Sequence, residues 1–96
     1  MLHATIVVRP QRAELLVQRL LAAGWAEAVT ACECQGFGRQ RGGGEGYRIE
    51  FLPKVIVECA VEDDQREALI DLVCTTCRSG RIGDGKIFLR RIEGAS

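Results

Sequence analysis

Histidine, proline and any excess of charge are scarce in this chain. Lysine and arginine together number 13, and aspartate and glutamate number 13, for a formal charge of zero. A dedicated nucleic-acid binder carries a basic excess, so that class is set aside, as is an acidic disordered tail. No apolar run approaches the ~20 residues of a membrane-spanning helix, which argues against membrane insertion. The opening stretch, Met1 to Pro10, has no basic segment ahead of an apolar one and does not read as a secretory signal. The single histidine, His3, has no acid or nucleophile near it in the chain. No Ser-His-Asp set or paired carboxylate stands out either, so no catalytic residue is nominated and the chain does not read as an enzyme. The 5 cysteines are an odd count, in a spacing unlike that of a secreted disulfide scaffold. The compartment implied is reducing, hence cytoplasmic.

Glycine, by contrast, is abundant, at 11 residues, against an average near ~7%. At 96 residues the chain is one domain, small enough that its own core leaves it marginal unless several copies share one.

Hydrophobic periodicity orders the chain. Leu2 to Val8 is a β-branched run ended by Arg9-Pro10, which reads as a strand. From Gln11 to Ala23 the period changes: Ala13, Leu16, Val17, Leu20 and Ala23 recur at steps of three and four, an amphipathic helix with Gly24 as its C-terminal cap. Ala26 to Gln35 returns to period two, with Thr30, Cys32 and Cys34 on one face. Residues 36–46 hold most of the glycine and read as a flexible loop. Phe51 to Val61 is a third strand, with Val55, Val57, Cys59 and Val61 on one side. Asp63 or Asp64 caps a second helix running to about Arg78, whose apolar side is Leu69, Ile70, Val73, Cys74 and Cys77. Lys86 to Ile92 is the last strand. The order β-α-β-β-α-β predicts an α+β, ferredoxin-like sandwich: a four-stranded antiparallel sheet with both helices on one face. The uncovered face, apolar in its middle strands, calls for other subunits.

Two glycine clusters carry the candidate chemistry. Gly80-Arg81-Ile82-Gly83-Asp84-Gly85-Lys86 satisfies G-x-x-x-x-G-K but lacks the following Ser or Thr, and it leads from helix to strand, so it is not a Walker motif. Its backbone N–H groups can still form an anion nest beside Lys86 and Arg81. Gly36-Phe37-Gly38-Arg39-Gln40-Arg41-Gly42 misses the dinucleotide fingerprint and opens no helix; a charged loop of this kind docks a partner or closes over a ligand. Cys74-x-x-Cys77 has redox or zinc spacing, yet zinc needs about four ligands, and both cysteines fall on the predicted apolar side of their helix. A redox or metal-responsive module is therefore kept as an alternative behind a core role.

Gly36-Phe37-Gly38-Arg39-Gln40, Phe51-Leu52-Pro53-Lys54-Val55 and Gly80 to Phe88 closely resemble three signature segments of the PII signal-transduction family, in order and on the same frame, over nearly the whole chain. The resemblance implies a single PII-like domain over 1–96, with a T-loop at about 37–51 and a B-loop at about 79–86. It implies a homotrimer that binds an adenine nucleotide (ADP, AMP or ATP) between subunits and regulates a transporter or enzyme through the T-loop. Carried over by position, the nucleotide residues are Thr30, Gly36, Phe37, Gly38, Arg39, Gln40, Glu58, Gly83, Asp84, Gly85 and Lys86. Gln40 would help hold a Mg²⁺–2-oxoglutarate complex, and Lys54 would pair with the 2-oxoglutarate carboxylate. Tyr47 sits where some members are uridylylated.

The chain departs from the family pattern in two places. The segment between Gln40 and Tyr47 is shorter and is rewritten as RGGGEG, and no match to the family's C-loop arginines precedes Ser96. Fewer charge-assisted phosphate contacts are expected to weaken ATP more than ADP or AMP. In both respects the chain is similar to branches associated with bicarbonate transport and carboxysomes, where bicarbonate would sit on Lys54 or Arg41. A nitrogen-regulatory member sensing ATP and 2-oxoglutarate is the alternative.

Overall fold

The computed structural model describes residues 1–26, 28–41, 47–77 and 85–93, with side chains described outside 38–50. Strand β1 spans Leu2–Val8 and stops where Arg9 meets Pro10. Pro10 then opens helix α1, Pro10–Ala23: its missing N–H costs nothing in the first turn. Ala13, Leu16 and Leu20 are the buried stripe of α1. Gly24 ends the helix in the left-handed region, φ 75°, with its N–H donating to the Leu21 carbonyl at 3.2 Å.

Strand β2 is Val29–Arg41 and β3 is Tyr47–Val61. β2 starts three residues later than its alternation predicted, because Ala26 is buried against the core rather than laid in the ladder. The larger correction concerns 36–46. Residues 36–41 are strand and not loop, paired in unbroken register with β3 from Gly36↔Leu52 to Arg41↔Tyr47. Backbone hydrogen bonds to a continuous partner outweigh the low strand propensity of glycine.

A 3₁₀ turn, Asp63–Gln65, precedes helix α2, Arg66–Cys77. Neither Asp63 nor Asp64 caps α2; the residue ahead of the turn is Glu62, with no side-chain cap. Asp63 instead accepts the N-terminal ammonium of Met1 at 2.8 Å. That hydrogen bond, reinforced by the ammonium's charge and by Arg91, holds the Asp63 carboxyl below its usual range. The buried face of α2 is Leu69, Val73, Thr76 and Cys77. Cys74, expected on the apolar side, is exposed. Thr76 takes the inner position because its hydroxyl accepts a hydrogen bond from Arg19 Nη1 at 3.1 Å, which ties α2 to α1. Strand β4, Gly85–Arg91, closes the fold.

The sheet order is β2-β3-β1-β4, and every neighbouring pair is antiparallel. The register Ala4↔Cys59, Ile6↔Val57 and Val8↔Val55 puts one apolar row on the helix side. There it joins Leu16, Leu20, Leu69 and Val73 in a single core. The predicted α+β sandwich, antiparallel with both helices in one layer, is the observed fold.

Candidate functional site

The alternate residues of the same strands form the open face. His3, Thr5 and Val7 on β1 stand opposite Ala60, Glu58 and Ile56 on β3, and opposite Arg90, Phe88 and Lys86 on β4. Phe88 is 57% exposed, a large apolar group left on the surface.

Thr30, near the start of the edge strand β2, is in register with Glu58 on β3, so both lie on this face. Gly36 lies opposite Leu52, and a Cβ on it would come within 3.1 Å of the Lys54 Cγ. The Lys54 stem is thus laid over the Gly36 backbone. Phe37 belongs to the other face, 64% exposed, where its ring meets that of Phe51 edge-on at 4.5 Å. The backbones of Gly38, Arg39, Gln40 and Arg41 continue β2, and Tyr47 opens β3 opposite Arg41. Gly85 and Lys86 start β4 opposite Val8 and Val7. A Cβ at Gly85 would sit 3.2 Å from the Val7 carbonyl oxygen, a tight contact that a side chain there could relieve only by a shift of a few tenths of an ångström. Lys86 is exposed. Gly83 and Asp84, with Gly80, Arg81 and Ile82, lie outside the described residues.

The fold therefore places Thr30, Glu58, Gly36 and Lys54 on the open face of β2 and β3 as two pairs, Thr30 beside Glu58 and Gly36 beside Lys54, about 13–20 Å apart along the strands. It leaves Gly85 and Lys86 on the opposite edge strand. Across the sheet, β4 lies two strand spacings from Glu58 and Lys54 on β3 and three from Thr30 and Gly36 on β2, about 10 and 14 Å.

Sequence reading set His3 aside, and the fold gives it a partner. Its Nε2 lies 3.4 Å from a Glu58 carboxylate oxygen, and its Nδ1 is buried with no partner among the described residues. His3, Thr5, Glu58, Phe88, Leu89 and Arg90 line a depression of about 370 Å³ on the open face. The chemistry here is mixed: one carboxylate, one imidazole, one guanidinium and an aromatic ring, with room for a small or flat ligand. Local sequence carries no signal for this cluster, since it exists only through the β3-β1-β4 register. No group of three or more metal-ligating side chains occurs among the described residues. No helix among them is long and apolar enough to cross a membrane.

Comparison with known proteins gives the family. The family model described as nitrogen regulatory protein P-II matches residues 1–96. The chain is 38% identical over 94 residues to nitrogen regulatory protein GlnK of Escherichia coli (strain K12), covering 93% of this chain and 83% of the relative. It is 39% identical over 94 residues to nitrogen regulatory protein P-II of Bradyrhizobium diazoefficiens, with the same coverage. To nitrogen regulatory protein P-II of Rhizobium meliloti it is 38% identical over 92 residues, 91% of this chain and 81% of that one. With a family match along its whole length, on an antiparallel β-α-β-β-α-β frame, the chain belongs to the nitrogen regulatory protein P-II family of signalling proteins, which are regulators and not enzymes.

Proposed function

We propose that this protein is a cytoplasmic homotrimer that binds ADP, AMP or ATP in clefts between subunits. Occupancy then passes to a partner protein, a transporter or an enzyme, through the β2–β3 connection. The observation that carries the reading is the split of the candidate residues across one open face. Thr30, Gly36 and Lys54 lie on the β2–β3 side and Lys86 lies on the β4 edge, with Gly85 beside it turned toward the helix layer. In one chain these groups enclose nothing. A second copy laid with its β4 edge toward this chain's β2 side brings both sets to one cleft, and it covers Val7, Ile56 and Phe88. The close backbone approach at Gly85, beside an exposed lysine, suits the phosphate side.

The second effector in this reading is bicarbonate, held by Lys54 or Arg41, in inorganic carbon metabolism; the shortened 41–46 segment motivates it. The names of the relatives favour a second reading, a nitrogen regulator in which Gln40 and Lys54 serve 2-oxoglutarate with Mg²⁺ and ATP. Modification of Tyr47 belongs with that second reading.

Titration calorimetry separates these. ADP is expected to bind at one site per subunit, and Lys86→Ala is expected to weaken it about ten-fold or more while the trimer persists, as loss of a charged hydrogen bond does. Equal affinity in the variant removes Lys86 from the site. Heats that change with bicarbonate support the carbon reading; heats that change only with 2-oxoglutarate, Mg²⁺ and ATP support the nitrogen one.

A further inference from the structure

Cys74 and Cys77 share the last turn of α2, but their surroundings differ. Cys74 is exposed, while Cys77, the final residue of the helix, is only 5% exposed. Helix positions three apart have Cα atoms about 5 Å from each other, inside the range of roughly 4.4–6.8 Å that a disulfide spans. Their Cβ atoms must close by about 1–2 Å more, and a terminal turn yields more readily than the middle of a helix. The other thiols lack this option. Cys59 is as buried as Cys77, but its cross-strand partners are Ala4 and Val29 and no second cysteine stands beside it. Cys32 and Cys34 are two apart on an extended strand, so their parallel side chains keep the Cβ atoms about 6–7 Å apart, well beyond the roughly 3.5–4.5 Å of a disulfide, and the ladder to Ile56 and Lys54 holds them there.

A second observation ties the pair to the far end of the sheet. A Cβ placed on Gly85 would meet the Cys77 Cβ at 3.6 Å. Cys77 is therefore part of the wall on which the first residue of β4 rests, and Lys86 follows immediately. Cys74 belongs to the helix layer, on the side of the sheet away from the open face, so it stays reachable when copies cover that face.

We propose that Cys74 and Cys77 form a reversible redox pair, oxidised by low-molecular-weight disulfides, whose closure displaces the start of β4 and lowers affinity on the Lys86 side of the nucleotide site. The effect on affinity rests on the function proposed above; the thiol chemistry and the displacement do not. The Cys74 thiolate attacks one sulfur of the small disulfide, that S–S bond breaks, and one small thiolate leaves. Cys77 gives its proton to solvent, and its thiolate attacks the Cys74 Sγ and expels the second small thiolate. Two protein thiols are oxidised to one disulfide, and one small disulfide is reduced to two thiols.

The full chain, reduced and then equilibrated with oxidised glutathione, tests this. The expected result is an intact mass lower by two hydrogens and a peptide linking positions 74 and 77. Amide exchange over Gly85–Arg91 becomes faster and ADP affinity drops several-fold, both restored by dithiothreitol. Cys77→Ser, lacking the resolving thiol, is expected to keep glutathione on Cys74. Cys77→Ala repeats that measurement should serine loosen the helix end, and Cys74→Ser shows none of these changes. Glutathione persisting on Cys74 in the unmodified sequence overturns the proposal, as does a bridge through Cys32 or Cys34. So does a 74–77 bridge that leaves β4 exchange unchanged. If the bridge and the faster exchange appear while neither form binds ADP, the redox pair stands and the nucleotide reading falls.

Discussion

The two faces of the one sheet are made by the same strands and differ in almost everything else. On the helix side Ala4, Ile6, Val8 and Val57 are all 0% exposed. One residue along each strand, the open face carries Thr5, Glu58, Phe88 and Arg90, a mixture of apolar, aromatic and charged groups in contact with solvent. Period-two alternation lets a small domain keep its core and its exposed sheet face apart: substitutions on one face act on folding, and those on the other leave the core untouched.

The sharpest way to break that contrast is a pair of truncations. Ile6→Ala empties a fully buried site, and an unfolding midpoint shift equivalent to about 2–5 kcal/mol is expected in denaturant titration. On the open face, Phe88→Asp is expected to leave the monomer's circular dichroism intact and to convert a trimer to monomers in light scattering. Each copy then forfeits about 1.5–3 kcal/mol of aromatic burial. A trimer that survives places the subunit contact elsewhere. Gly24→Ala probes neither face: no atom lies within 4 Å of the added carbon, so only the left-handed backbone resists it, at about 1–2 kcal/mol. The smallest effect concerns Asp63. Its pKa is depressed in the folded protein, so its contribution is present above the unfolded value, about 3.9, and is lost as pH falls through the folded one. A pH series of thermal unfolding is expected to show a slight extra loss in that acid range, absent in Asp63→Asn.

Local pattern was enough for much of the body. Strand β1 and helix α1 carry unmixed periods, and Arg9-Pro10 marks their junction in both directions, since proline ends one element and starts the next. The reach of β2 to Arg41 was hidden because Gly36 and Gly38 have no side chains to alternate; the ladder is a backbone property. The Phe37–Phe51 ring contact is the trace of that pairing in side chains. Thr76 is buried where Cys74 was expected because a hydroxyl partnered by Arg19 can be buried, a long-range fact that hydropathy does not encode. The glycine and lysine positions of the candidate site were legible as motifs. The His3–Glu58 pair was not, because it depends on which strand lies beside which.

Strands β2 and β3 pair well beyond the point where β1 leaves off at Val55, so residues 34–41 and 47–54 stand as a two-stranded arm outside the main sheet. The molecule is accordingly 51 Å long and only 24 by 22 Å in section. Eight residues of extended chain give the arm a reach of about 26 Å. Leverage follows: a rotation of about 10° at its root, near Gly36 and Lys54, sweeps the far end through about 4–5 Å over that reach. An adjustment of bond-rotation size at that root becomes, at the far end, a displacement as large as the gap between neighbouring strands.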